Sequence, residues 1–303
     1  MRPLRSFLIL LIFLVCLTGL FDIFPWKELL NAKTEENKRA AAGQAVITEK
    51  PGIKEFSLVA DSVSPLTAFL DSLAIPGNLT RIMYYGDSQV EGDRVTFFLR
   101  QLLREGRGGT GPGLFQPLMP VMYTKTLWLR SSPNWKRYNY LSFKSGELSH
   151  TRLGPFMSVC RYLPEGVTVT SSQKASIRIK PSIYTDTAAS AWECLRIFYN
   201  LKDGAVKVNI SNRGDQLLTD TLTRGDGVHE LRCPIEGSDD LLIGFEGKAS
   251  PDIYGISIEG KSGVIVDNMP QRGSAGLEFT LVDKDNLREA WDFLEPDLII
   301  LHY

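Results

Sequence analysis

Histidine and cysteine are scarce in this chain of 303 residues: three of the first and four of the second, with no C-x-x-C or H-x-x-x-H spacing among them. That scarcity argues against a metal centre, because zinc and similar ions need several such ligands at short, fixed intervals. No cofactor is expected either. Cys160, Cys194 and Cys233 form an odd trio that allows at most one disulfide, and each reads by default as a buried free thiol. Cys16 follows Val15 rather than the small residue that a lipid-attachment site wants. An excess of one charge is lacking too: 34 basic residues stand against 35 acidic ones, net -1, with no long block of either sign. Nucleic acid is therefore not an expected partner. No internal repeat is visible.

What the chain does contain begins with an unbroken apolar or small run from Phe7 to Phe21, behind Arg2 and Arg5, which has the form of an export signal. Phe24 and Trp26 extend it past Asp22, and no small-x-small cleavage site follows directly. An uncleaved anchor over residues 1–30 is the favoured reading; a buried core helix is the bland alternative. By the positive-inside rule the arginines stay in the cytoplasm, so the bulk of the chain is expected in the periplasm or outside the cell, held at the membrane by this segment. Residues 31–56 are charged, alanine-rich and contain Pro51-Gly52 near their end, and they read as a polar tether.

With 43% hydrophobic residues the remainder can bury a sizeable core. The spacing of Leu66, Phe69, Leu70 and Leu73 predicts a helix over 65–74, ended by Pro76-Gly77. A buried strand follows over 80–85, and Phe98, Leu99 and Leu102 repeat the helical spacing over 95–104, so residues 84–104 read as strand, sharp turn, helix. From about 114 to 260 short alternating runs (175–179, 195–199, 206–210, 241–245, 253–258) are separated by turn signals at Lys202-Asp203-Gly204, Gly225-Asp226-Gly227 and Glu236-Gly237. This is the pattern of a β-sandwich. A buried strand over 263–267, a helix over 284–294 and a strand over 296–301 then restore the first pattern. The expected class is α/β: a parallel sheet with helices, built from residues 57–113 and 261–303, interrupted by an inserted β-sandwich domain over 114–260.

The sharpest local feature is YYGDSQVEGD at Tyr84 to Asp93, which sets a serine directly after a hydrophobic strand and before a helix. A tight glycine turn at a strand end presents the next side chains at the carboxyl edge of the sheet, where open α/β proteins place their ligands, and a following helix would offer free N–H groups and its positive end to a developing oxyanion. On the residues alone, Gly-Asp-Ser is also consistent with a serine that merely caps a helix.

Gly86-Asp87-Ser88 at a first strand end resembles the first motif block of the GDSL, or SGNH, hydrolases. The stretch Asn268-Met269-Pro270-Gln271-Arg272-Gly273-Ser274-Ala275-Gly276 after the strand at 263–267 is similar to the second block, and Pro296 to Tyr303 to the strand that delivers the third. The likeness covers about residues 65 to 105 and 260 to 303, and an insert between the first two blocks, together with the glycine-rich Arg107 to Gly113, resembles bacterial cell-wall polysaccharide and peptidoglycan O-acetylesterases. It implies an SGNH-like fold and serine acyl transfer on an acetylated polysaccharide or peptidoglycan. Ser88 would be the nucleophile, and the N–H groups of Ser88 and Gly273 the oxyanion hole. It implies further that the third-block Asn and the Asp-x-x-His of the last block have no counterpart here, so that the chain is expected to be truncated and inactive as it stands. The alternative is a non-catalytic, membrane-tethered polysaccharide-binding protein on the same scaffold.

Other signals compete. Asp87 either supports the nucleophile or simply braces its turn. His150 and His229 fall in the β region and His302 ends a strand, so none stands where a base belongs. Ser274 is a near miss to G-x-S-x-G with Arg272 in the place of the first glycine, and reads as a loop serine. Arg-Gly-Asp occurs at 213–215 and 224–226, both at expected turns. Trp128, Trp135, Tyr138 and Tyr140 are candidates for stacking on sugar rings if exposed, or for core packing if not.

Overall fold

The computed structural model describes residues 64–119, 124–185, 190–237 and 240–303. The expected anchor, the tether and Cys16 lie outside the described residues. Among those described, no helix is long and apolar enough to cross a membrane.

Three strands that are largely apolar along their length, β1 (Leu79–Gly86), β13 (Gly263–Pro270) and β14 (Leu298–His302), pair in parallel in the order β13-β1-β14. The chain between β1 and β13 supplies two antiparallel sheets. One has six strands: β2 (Gly113–Phe115), β4 (Lys136–Asn139), β5 (Ser158–Arg161), β7 (Cys194–Leu201), β10 (Gly225–Pro234) and β12 (Asp252–Glu259). The other has five: β3 (Leu127–Ser131), β6 (Gln173–Pro181), β8 (Val206–Asn212), β9 (Asp215–Thr221) and β11 (Leu241–Gly247). Four α-helices accompany them: α1 (Ser64–Ala74), α2 (Thr96–Arg104), α3 (Tyr140–Lys144) and α4 (Lys284–Leu294).

This overturns the α/β class. Eleven of the fourteen described strands lie in antiparallel sheets arranged like a β-sandwich, and the parallel sheet has only three, so the chain is mainly β and does not form an SGNH-type α/β parallel-sheet fold. The reason for the misreading is physical. A strand buried on both faces, such as β13 with all eight residues buried, is an uninterrupted apolar run, whereas β6, β8 and β11 bury alternate residues and carry a weaker signal per residue.

Three cores stack the layers. The two antiparallel sheets enclose the largest, around Ile177, Ile197, Ile243, Phe245 and Ile256. The other face of the six-stranded sheet packs Tyr138, Phe198 and Tyr254 against Met83, Tyr85 and Met269 of the parallel sheet and against Leu287 and Ala290 of α4. The opposite face of the parallel sheet is covered by Phe69 and Leu73 of α1 and Leu99 and Leu103 of α2. Trp135 and Tyr138 are core residues, Tyr140 is half-buried, and Trp128 is exposed. Cys160, Cys194 and Cys233 are free, and burial pushes the Cys160 thiol up to about 12.

α1, α2 and α4 form where expected and α3 lies within the region read as all β, but α2 turns a different face inward. Phe98 and Leu102 are exposed while Arg100 is buried, because its guanidinium donates to the Val266 carbonyl at 2.6 Å, the Pro112 carbonyl at 3.2 Å and the Thr126 hydroxyl at 2.9 Å. The second Arg-Gly-Asp, with Gly225-Asp226-Gly227, is not a hairpin turn: it opens β10, whose register against β7 shifts between Gly225 and His229. The first does turn the chain from β8 to β9, with Arg213 and Gly214 at positive φ. The glycine-rich segment after α2 is a packing device. Gly111, at φ +80, lies so near Ile258 that a Cβ would collide with its carbonyl.

A buried ionic network joins the layers. Arg81 on β1 donates to Asp267 on β13 at 2.8 and 3.0 Å and to Glu259 on β12; Glu259 also accepts from Arg196 on β7 at 2.9 Å and from Ser257 at 2.6 Å. Arg196 further pairs with Glu230 and donates to the Phe293 carbonyl of α4 at 2.6 Å. Burial alone would raise the Glu259 carboxyl, but Arg81 and Arg196 reverse this and hold it below the usual carboxylate range. A folded value below the unfolded one gives stability that is present above the unfolded pKa, about 4.3, and is lost as pH falls through the folded value. Urea unfolding should therefore show stability declining as pH drops below about 4. Glu259→Gln should lower stability at pH 7 by about 3 kcal/mol and flatten the decline.

Candidate active site

All three parallel strands end at one edge, and each delivers a segment singled out in the sequence. Gly86 lies beside Pro270 on one side and His302 on the other. There is no room there for a side chain: a Cβ on Gly86 would meet the His302 carbonyl at 2.8 Å and Val90 Cγ1 at 2.9 Å. Asp87 then accepts a hydrogen bond from the Gln89 N–H at 2.8 Å, which fixes the turn, and Ser88 emerges exposed.

The strand, turn and helix expected over 84–104 are interrupted. Ser88 opens a six-residue 3-10 segment, Ser88–Asp93, broken at Glu91 (ψ 145°) and Gly92 (φ 65°), and the α-helix starts only at Thr96. No α-helix N-terminus lies behind Ser88.

The turn after β13 is tied to this segment at two points. The Gln271 N–H donates to the Gly86 carbonyl at 2.8 Å, and the Arg272 guanidinium grips the buried Glu91 carboxylate through two bonds of 2.7 Å. The structure thus brings together the two turns that carry Ser88 and Gly273. Gly273 is exposed at φ +73, the left-handed region that glycine adopts freely. Ser274 braces the turn, accepting from the Gly276 N–H at 2.9 Å and donating to Glu278.

β14 closes the edge. Tyr303 donates to Gln271 Oε1 at 2.6 Å; burial pushes its hydroxyl up to about 12, with the charges of Glu278 and Asp87 adding to the effect. Gln271 Nε2 and both amide atoms of Asn268 are buried without a hydrogen-bond partner among the described residues, a concentration of unsatisfied polar groups at this edge.

The histidines do not join Ser88, whose hydroxyl makes no hydrogen bond among the described residues. His302 Nδ1 is 3.0 Å from the Tyr84 hydroxyl, and His150 pairs with Asp252 at 3.2 Å. His229 lies against Tyr199 with its Nε2 buried. Sequence reasoning missed the Glu91–Arg272 clamp. Its one visible signal is a glutamate three residues after the serine and an arginine before the second-block glycine. No metal-holding cluster of His, Cys, Asp and Glu occurs among the described residues.

Comparison with known proteins finds no matching family model and no matching curated protein. Among solved structures, a peptidoglycan O-acetylesterase is similar at a TM-score of 0.54 and 18% identity, over 78% of this chain and 60% of that one. The likeness is one of fold, distantly esterase-like, and this chain spans less than two thirds of that structure. A family 29 carbohydrate-binding module with mannohexaose bound is similar over 52% of this chain and 94% of that one (TM-score 0.30, 10% identity), and an exo-beta-1,3-galactanase from Phanerochaete chrysosporium over 44% and 28% (TM-score 0.28, 11% identity).

The clamp generates a prediction. Arg272→Ala strands the buried Glu91 carboxylate, so the urea midpoint should fall. Arg288→Ala, which breaks only an exposed pair with Asp285, should leave it unchanged.

Proposed function

We propose that this protein is a serine esterase that removes or transfers O-acetyl groups on a cell-envelope polysaccharide. The observation that carries the reading is the joining of two turns at one sheet edge: an exposed Ser88 after β1, and the Gln271–Gly273 turn held against it by the Gln271 N–H and the Arg272–Glu91 clamp. The likeness of fold to a peptidoglycan O-acetylesterase supports the reaction class.

In the proposed reaction Ser88 Oγ attacks the ester carbonyl, its proton passes to a base, and the Ser88 and Gly273 N–H groups stabilise the oxyanion. Collapse expels the sugar hydroxyl and leaves an acetyl-serine, which water or a second hydroxyl then resolves. Asp87 holds the turn. We assign the base to none of His150, His229 and His302, since each is committed elsewhere. The run from Phe7 to Phe21 anchors it in the membrane, with the bulk of the chain on the periplasmic or outer side.

The lack of a partner for the Ser88 hydroxyl among the described residues also favours a second reading, a tethered polysaccharide-binding protein without turnover. Acetate release from O-acetylated peptidoglycan by the protein as its gene encodes it separates the two. The esterase should lose at least about 10³-fold of kcat/KM in Ser88→Ala. Release that is unchanged in the variant, or absent from the parent, overturns the esterase.

A further inference from the structure

The five-stranded sheet is the outermost β layer: one face packs on the six-stranded sheet, which separates it from the parallel sheet. Its other face carries side chains with no part in any core. On β3 the residues alternate, Leu127 and Leu129 inward and Trp128 and Arg130 outward. The register sets Trp128 beside Lys180, Arg130 beside Arg178, and Arg178 beside Leu242. Trp128, Arg130, Arg178 and Leu242 line a shallow cleft of about 540 Å³, and Lys180 stands beside it, opposite Trp128.

Two features of this cleft are unlike the rest of the surface. Trp128 is the one described tryptophan that is exposed, at 41%, whereas Trp135 and Trp192 are buried and Trp291 is half-buried with its N–H on Tyr85. The cleft is also cationic in a chain whose net charge is only -1. Arg178 and Lys180 share a single carboxylate, Asp240, while the Arg130 guanidinium makes no ion pair or hydrogen bond among the described residues. The floor is braced, the Ser176 N–H donating to Ser132 Oγ at 3.0 Å and the Trp135 indole to the Ser176 carbonyl at 3.2 Å.

We propose that this face binds an acidic polysaccharide, with the Trp128 indole stacked on a sugar ring and Arg130 paired with a ring carboxylate. An indole offers a flat apolar surface to the C–H face of a pyranose at low entropic cost, since it has few rotatable bonds. A guanidinium matches a carboxylate through two parallel hydrogen bonds. The two uncompensated positive charges select an anionic chain over a neutral one. This inference is independent of the esterase reading, because the face lies across the six-stranded sheet from Ser88 and binding needs no turnover.

Isothermal titration with polygalacturonate, and with neutral mannan as the comparison, tests it. The parent should bind polygalacturonate with an affinity that falls as salt rises from 50 to 500 mM, and mannan at least about tenfold more weakly. Trp128→Ala and Arg130→Ala should each weaken polygalacturonate binding by about tenfold or more, with thermal midpoints unchanged because both side chains are exposed, and Trp128→Phe should restore most of the loss. The proposal is overturned if the parent does not bind polygalacturonate, if it binds mannan equally well, or if the alanine variants bind like the parent.

Discussion

The buried guanidinium of Arg81 is the constraint around which the rest is arranged. It sits on the central strand of the parallel sheet, with a relative exposure of 2%, and its two carboxylate partners come from different layers: Asp267 from the neighbouring parallel strand and Glu259 from the six-stranded sheet. Burial alone would lower its pKa; the two carboxylates more than reverse this, and the guanidinium stays charged. Losing either partner leaves an uncompensated charge in a dry interior, so separating the parallel from the antiparallel sheet is costly. Asp267 extends the constraint by also accepting the Leu114 N–H at 2.7 Å, which fixes β2. Arg100 and Arg104 repeat the device on the other face, reaching from α2 to carbonyls of β13.

This fixed docking gives the site its geometry. β13 and β14 hold their register on β1, and the chain segments that leave their ends are then close enough for short, specific links. Arg272 reaches Glu91 across 181 residues of sequence because both follow strands that run side by side. The edge is thus assembled by strand pairing first and refined by side chains second.

What could be read in the sequence divides along the same line. The elements β1, α1, α4 and β13 were legible because each carries its own period or apolar run, and so were five of the sandwich strands, β6, β7, β8, β11 and β12. The fold class was not, since apolar strands such as β1 and β13 speak louder in sequence than antiparallel strands such as β6, β8 and β11 that bury only alternate residues. The buried face of α2 was also hidden. Phe98 and Leu102 look like core residues until Arg100 is known to meet three carbonyl and hydroxyl groups from distant segments, and no local pattern announces such partners. The Gly225–Gly227 stretch had the composition of a turn but serves as a strand irregularity, where glycines are equally suited. Of the candidate site, the two turns that carry Ser88 and Gly273 could be singled out in sequence; the clamp that unites them could not.

The interrupted helix after Ser88 changes the electrostatics of the edge. Had α2 begun at Ser88, its macrodipole would have supplied a positive end to any charge developing there. Instead α2 starts at Thr96, beyond the break at Glu91 and Gly92, and a dipole effect confined to the first turn does not extend back over eight residues. Of the cations in contact with these turns, the Arg94 guanidinium lies 3.5 Å from the Ser88 carbonyl and Arg272 is neutralised by Glu91. An anion at this edge, as the proposed reaction requires, would therefore depend on individual N–H groups of the two turns rather than on a helix. Such groups act only at hydrogen-bond range and in the right direction. That places a stricter demand on how the turns are held, and the Gln271 N–H bond and the Glu91–Arg272 clamp are the contacts that meet it.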